Sequence, residues 1–269
     1  MAELREEFKF NESLCGKIED LSTRYVGYRS IRGDGNCYYR AVAFSFLEKA
    51  MRAGENGKTT LRSFRSLVEA ANFRGNDDAA IARACVLFRI DEWIEEGKWT
   101  WRQGDDFTTV TTTDGDISKY IFATFVEDDE FDKDIILLLR HVTGAFLRTN
   151  AESLMPNGMT FEMMTTIGMG YANLAAFCTQ TVEKMGEDAE GVVHVALPAA
   201  TGINVRMEYL DRRAGVELKP YDFPDDGAPR SAYILIKPGH FDMLYPRDER
   251  KGRRIRKSIG CTQRTRFQR

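Results

Sequence analysis

Gly33-Asp34-Gly35-Asn36-Cys37-Tyr38-Tyr39-Arg40-Ala41 joins a glycine-rich turn to an apolar stretch that continues to residue 51. The two glycines permit positive φ or close approach of another backbone. The apolar stretch suits a buried helix, which places Cys37 at its N-terminus. There the unpaired N–H groups and the positive end of the helix dipole favour a thiolate, lowering the usual thiol pKa of ~8.5 by one to several units. The N–H groups of the same turn are able to hold an oxyanion. Taken alone, the stretch reads equally well as an ordinary turn with a buried cysteine beginning a core helix.

A nucleophilic cysteine needs a base, and the chain has three histidines. His141 lies beside the stripe Ile135, Leu138, Leu139, Val142, Phe146 of a helix over 132–149 and reads as structural or surface. His194 interrupts the apolar run 192–197, read as a strand, and is expected to be a satisfied sheet residue. His240 follows Pro238-Gly239 at the mouth of a strand, where its ring can project into a cleft. Asp242 lies two residues on, on the same strand face, where it can fix the ring's tautomer. Together these residues point to a Cys–His–Asp hydrolytic site.

Outward from that site, a capped amphipathic helix is expected over 13–26, with further helices over 60–73, 77–96, 118–127 and 170–184. Residues 98–116 read as an irregular connection. Strands are expected over 192–197, 203–210, 232–236 and 241–245. Helices first and strands last, with no long linker and no repeat, give one α+β domain. Its helical N-terminal part packs on a small, mostly antiparallel C-terminal sheet.

The 269 residues include 43% hydrophobic and 11% aromatic, which excludes wholesale disorder. The net charge of −3 hides an asymmetry: residues 247–269 hold ten Lys/Arg and two Asp/Glu, so the first 246 carry −11. The chain divides into a short arm (1–13), a catalytic domain (14–246) and a basic tail (247–269), read as a solvated extension rather than a nucleic-acid-binding element. Five scattered cysteines form neither a C-x-x-C metal pair nor a disulfide framework. Cys15, Cys85 and Cys178 read as packing residues, and Cys261 in the tail as a candidate reactive thiol. The N-terminus lacks a signal-peptide run and no apolar stretch is long enough to span a bilayer, so a cytoplasmic protein is expected, with the nucleus also open to it. The stretch 54–59 lacks the first glycine of a phosphate-binding loop, and the acids at 128–134 are misspaced for calcium.

GDGNCYYRA and KPGHFDMLYP resemble the two signature blocks of the otubain family of OTU-type deubiquitinases, and the resemblance extends over about residues 14–246. Also similar are Lys17 to Tyr25, the 132–149 helix and HVALPAATGINVRMEYLDR at 194–212. The resemblance implies a papain-like thiol isopeptidase that removes ubiquitin from lysine side chains and needs no metal or cofactor. By position, Cys37 matches the nucleophile, His240 the general base and Asp242 the orienting carboxylate. Asp34 matches the aspartate of the oxyanion turn. Tyr38 stands where the family often has phenylalanine. Implied partners are ubiquitin, polyubiquitin chains of the linkage that marks proteins for the proteasome, and ubiquitin-conjugating enzymes, although only about a dozen residues stand where some otubains have the longer N-terminal arm that inhibits those enzymes. A monomer is expected.

Overall fold

A computed structural model describes residues 1–111, 117–189, 191–211 and 217–247. The tail from 248 onward, with Cys261, and residues 112–116 of the expected connection lie outside the described residues.

The chain opens with α1 (Ala2–Glu7) and α2 (Glu12–Arg24), the latter capped by Asn11, whose side chain accepts from the Leu14 N–H at 3.0 Å. The next residues leave the helix expected there: β1 (Tyr25–Arg29) forms the sheet edge. Then come α3 (Cys37–Arg52), α4 (Glu55–Glu69) and α5 (Asp77–Glu96). Gly97, at φ 66°, ends α5 in the left-handed conformation.

Residues 98–111 correct the expectation of irregular structure. They form a hairpin of β2 (Lys98–Gln103) and β3 (Asp106–Thr111), turned by Gly104 at φ 63°. Trp99, Trp101 and Val110 alternate inward, the period-2 signature of a half-buried ribbon. After α6 (Ile117–Glu127), Asp128 caps α7 (Asp129–Thr149) by accepting from the Phe131 N–H at 3.0 Å. The expected helix over 170–184 is shorter and broken. The short α8 (Phe161–Met163) and α9 (Leu174–Phe177) each run on into a π-type turn, at Met164–Gly168 and Cys178–Val182.

The run at 192–197 is the main correction. It belongs to α10 (Gly191–Thr201), not to a strand, and His194 is therefore a helical residue. Val192, Val193, Ala196, Leu197 and Ala200 are buried, a helical spacing hidden inside a run apolar on all sides. Of the remaining strands, β4 (Val205–Tyr209), β6 (Ala232–Lys237) and β7 (His240–Pro246) were expected, while β5 (Pro220–Phe223) was not.

The main sheet has the order β1-β7-β6-β4-β5; only the β4–β6 pair is parallel. One face, with Ile234, Phe241, Met243 and Met207, packs into the helical core around α3. The other, with Leu235 and Leu244, joins Leu4, Leu14, Ile18 and Leu21 in a smaller core under α1 and α2. Pairing β1 beside β7 (Arg29 opposite Met243) carries the following residues past the first residues of β7. The 33–36 turn and the start of α3 are thereby delivered to the place where β7 begins.

Candidate active site

Cys37 opens α3, is 3% exposed, and is followed by a helix buried from Tyr38 through Glu48. Burial on all sides fixes the orientation of the helix, and so of its first residue. The turn ahead of it is tightly specified. Gly35 has φ 73°, and a Cβ there would lie 1.9 Å from the Gly186 carbonyl oxygen. A Cβ on Gly33 would sit 3.4 Å from His240 Nδ1. Gly35 is required both by its positive φ and by this close approach, whereas a Cβ on Gly33 would make only ordinary contact with the ring.

Asp34 does not point its carboxylate at the thiol. It accepts from the Asn36 N–H (3.0 Å), from both terminal nitrogens of Arg40 (2.8 Å each) and from Arg32 Nε (3.0 Å). Burial would raise its pKa, but these donors, Arg40 foremost, hold it below the usual carboxylate range. An acid so committed braces the turn and is no proton donor. Arg40 and Arg32 continue to the buried Asp132 on α7 at 2.7 Å each.

His240 begins β7, and its Nε2 lies 3.0 Å from Asp242 Oδ1. The ring also interacts with the Cys37 side chain. The Pro238-Gly239 turn, with Gly239 at φ 71°, sets Lys237 opposite His240 in the ladder and Leu235 opposite Asp242. The imidazole's pKa is pushed up to about 10, first by the hydrogen bond to Asp242 and then by the one with Cys37, against a burial effect that lowers it. Asp242 is wholly buried; its desolvation is outweighed by His240, Lys237 and the Ile31 N–H, which hold it ionised below the usual range. The structure thus brings Cys37, His240 and Asp242 together, with Asp34 behind the turn.

The other histidines stand apart from this group. His141 packs on the Phe73 ring, with Nδ1 3.8 Å from Glu183. His194 packs against Tyr38 at a tilt and edge-on against Phe241, at 4.8 and 5.4 Å between ring centres, and its Nε2 is buried. Burial drives its pKa down to about 4, so this ring is neutral packing behind the site.

Sequence reasoning missed Arg140. Wholly buried on α7, it donates to the Gly35 carbonyl (2.9 Å), Asn36 Oδ1 (2.7 Å), the Val182 carbonyl (3.0 Å) and the Glu187 carbonyl (2.7 Å). Asn36 Oδ1 also accepts from the Gly186 N–H at 2.9 Å. One guanidinium therefore ties the oxyanion turn to the 182–187 loop. Its signal in the sequence is a charged residue four positions after Ile136, on the inward phase of the helix. Lys237 was missed as well: its Nζ lies 2.8 Å from Asp242 Oδ2. Cys85 is corrected from a packing residue to an exposed one, whereas Cys178 is buried.

A thiol at a helix N-terminus, an imidazole held by a buried carboxylate on an adjacent strand, and a braced glycine turn define a papain-like thiol hydrolase. The chain belongs to the otubain family: the family model described as Peptidase C65 Otubain matches residues 1–246. Similar relatives include the OVARIAN TUMOR DOMAIN-containing deubiquitinating enzyme 1 of Arabidopsis thaliana, 28% identical across 87% of this chain and 74% of that protein. Ubiquitin thioesterase OTUB2 of Homo sapiens is 29% identical across 87% of each. Among solved structures, a ceOTUB1 ubiquitin aldehyde UBC13~Ub complex superposes with a TM-score of 0.65 at 26% identity, covering 88% of this chain and 86% of that one. The h/ceOTUB1-ubiquitin aldehyde-UBCH5B~Ub structure gives 0.64 at 25%, covering 88% and 83%.

Proposed function

We propose that this chain is a ubiquitin-directed thiol isopeptidase in which Cys37, His240 and Asp242 do the chemistry. The observation that carries the reading is the His240 ring, whose Nε2 lies 3.0 Å from the buried Asp242 and which interacts with Cys37 at the start of α3. A protonated ring beside a thiol is the arrangement that yields a thiolate nucleophile. Cys37 Sγ attacks the isopeptide carbonyl, and the carbonyl oxygen becomes an oxyanion met by the backbone N–H groups at the start of α3. The Asn36 N–H is already given to Asp34, so the donors for the oxyanion are the other N–H groups of the turn and helix start, that of Cys37 among them. His240 then gives its proton to the departing lysine amine. The resulting thioester is hydrolysed by water that His240 deprotonates, and the thiolate leaves. No step calls for a metal or cofactor.

Ubiquitin is the substrate class because the relatives are named ubiquitin thioesterases and deubiquitinating enzymes, and the superposed structures hold ubiquitin aldehyde. Ubiquitin-conjugating enzymes are a second class of partner, on the strength of the UBC13~Ub and UBCH5B~Ub complexes. We extend the reading to chains of the proteasome-targeting linkage, cut in a reducing cytoplasmic or nuclear compartment that keeps Cys37 free. The test is turnover of a panel of di-ubiquitins of defined linkage, alongside chains of ubiquitin-like modifiers. Cleavage of the proteasome-targeting linkage ahead of the others is expected. Cleavage of a ubiquitin-like modifier alone would replace the substrate assignment.

A further inference from the structure

We propose that Lys237 and Glu7 are positioning residues for the catalytic triad, so that docking of α1 sets how firmly Asp242 holds His240. Asp242 Oδ1 takes two donors, the Ile31 N–H and His240 Nε2, both at 3.0 Å. Its Oδ2 is buried and faces the Lys237 ammonium at 2.8 Å, an ion pair without hydrogen-bond alignment. A buried carboxylate with one oxygen unmet rotates or takes up a proton, so Lys237 fixes the rotamer in which Oδ1 meets the ring.

Lys237 is itself 8% exposed, and a buried ammonium is unfavourable unless paired. It draws on the same carboxylate that must stabilise the imidazolium. Glu7 relieves that competition, with its two oxygens 3.2 and 3.3 Å from Lys237 Nζ. Burial opposes the lysine's charge, yet Asp242 and then Glu7 keep its pKa above the ordinary value. Glu7 is the last residue of α1, and Leu4 of that helix is wholly buried in the smaller core. The charged and titratable groups facing the His240–Asp242 pair are therefore Cys37 from α3, Lys237 from β6 and, through Lys237, Glu7 from α1.

The signs follow from charge. Glu7→Gln leaves Lys237 balanced by Asp242 alone, makes the site more positive and weakens the hold on the imidazolium proton. Lys237→Met removes a cation, strengthens that hold, and frees Asp242 to rotate. The proposal rests on the isopeptidase reading for its kinetics, and one readout is chosen to stand without it. Full-length wild type, Glu7→Gln, Leu4→Ala, Lys237→Met and Lys237→Arg are compared by pH profile of kcat/KM on di-ubiquitin and by NMR titration of the His240 ring. In Glu7→Gln and Leu4→Ala the basic limb and the ring's midpoint move down by about half a pH unit or more. Their kcat falls about threefold to tenfold at an unchanged KM. In Lys237→Met the ring's midpoint moves up while kcat falls at least about tenfold, and Lys237→Arg restores most of it. Half-exposed Glu7 keeps the test available if Lys237→Met does not fold. Ring titrations of folded Glu7→Gln and Lys237→Met that overlay wild type overturn the proposal. So does a kcat loss in Lys237→Met that Lys237→Arg does not restore. An inactive wild type would count against the isopeptidase reading, and the NMR midpoints would still decide this one.

Discussion

At the scale of single residues, the site separates groups that react from groups that hold. Asp242 reaches substrate only through His240, so Asp242→Asn is expected to lower kcat on di-ubiquitin at least about a hundredfold, with little change in KM. An Asp242→Asn enzyme turning over at the wild-type rate would remove it from the triad. His194 carries a prediction of opposite electrostatic sense. Its folded-state pKa, near about 4, lies below the 6.5 of an exposed histidine, so the unfolded chain takes up the proton first. Stability from this ring is complete above pH 6.5 and is lost as pH falls from there towards about 4. Between pH 6.5 and 5, thermal melts of wild type should fall more steeply than those of His194→Phe; parallel slopes would contradict the burial argument. For His240 the sign reverses. The pair with Asp242 stabilises the fold below pH 6.5 and loses that contribution as pH rises through about 10. The residues legible in the sequence were those with distinctive chemistry at a turn, Cys37, His240 and Asp242. Arg140 and Lys237 were not, because their partners, backbone carbonyls and the Asn36 amide for one and the Asp242 carboxylate for the other, are brought close only by the fold.

At the scale of elements, the turn and helix around Cys37 could be read because glycine, capping and burial signals agreed there. The run 192–197 could not: a stretch apolar on every side has no period to read, and its β-branched residues favoured a strand. The hairpin at 98–111 carries a period-2 signal in Trp99 and Trp101, but the run Thr108 to Thr113 followed by Asp114-Gly115 reads as an irregular connection. Likewise β1 is a short edge strand whose partner, β7, lies more than two hundred residues away, beyond any local pattern. The turn yields a prediction of its own. Gly35→Ala must both hold a positive φ, at a cost of about 1 kcal/mol, and push the 186 carbonyl aside, or else abandon the turn's conformation. The expected outcome is a folded protein with at least about a tenfold loss of kcat and a lowered melting temperature. Wild-type kinetics from Gly35→Ala would show that the oxyanion turn does not depend on that close approach.

At the scale of the whole molecule, the sheet is a plate between two cores, and the catalytic strand β7 contributes to both. Phe241 and Met243 face the helical core; Asp242 and Leu244 face α1 and α2. The acidic body and basic tail seen in the charge distribution have unequal parts in this account. The family match ends at residue 246, and Arg247 still donates its N–H to the Arg24 carbonyl at 2.9 Å. Deleting 248–269 is expected to leave kcat/KM on di-ubiquitin within about twofold of wild type, since no described part of the site lies beyond β7. A tenfold loss would assign the tail a place in substrate binding. The central claim is that Cys37 is the nucleophile of a ubiquitin-directed enzyme, and covalent capture reads it most directly. The protein is incubated with ubiquitin carrying an electrophile at its C-terminus, and the adduct is weighed and mapped by mass spectrometry. One adduct is expected, on Cys37, formed by wild type and absent from Cys37→Ala. No adduct, or one that persists in Cys37→Ala, would contradict it.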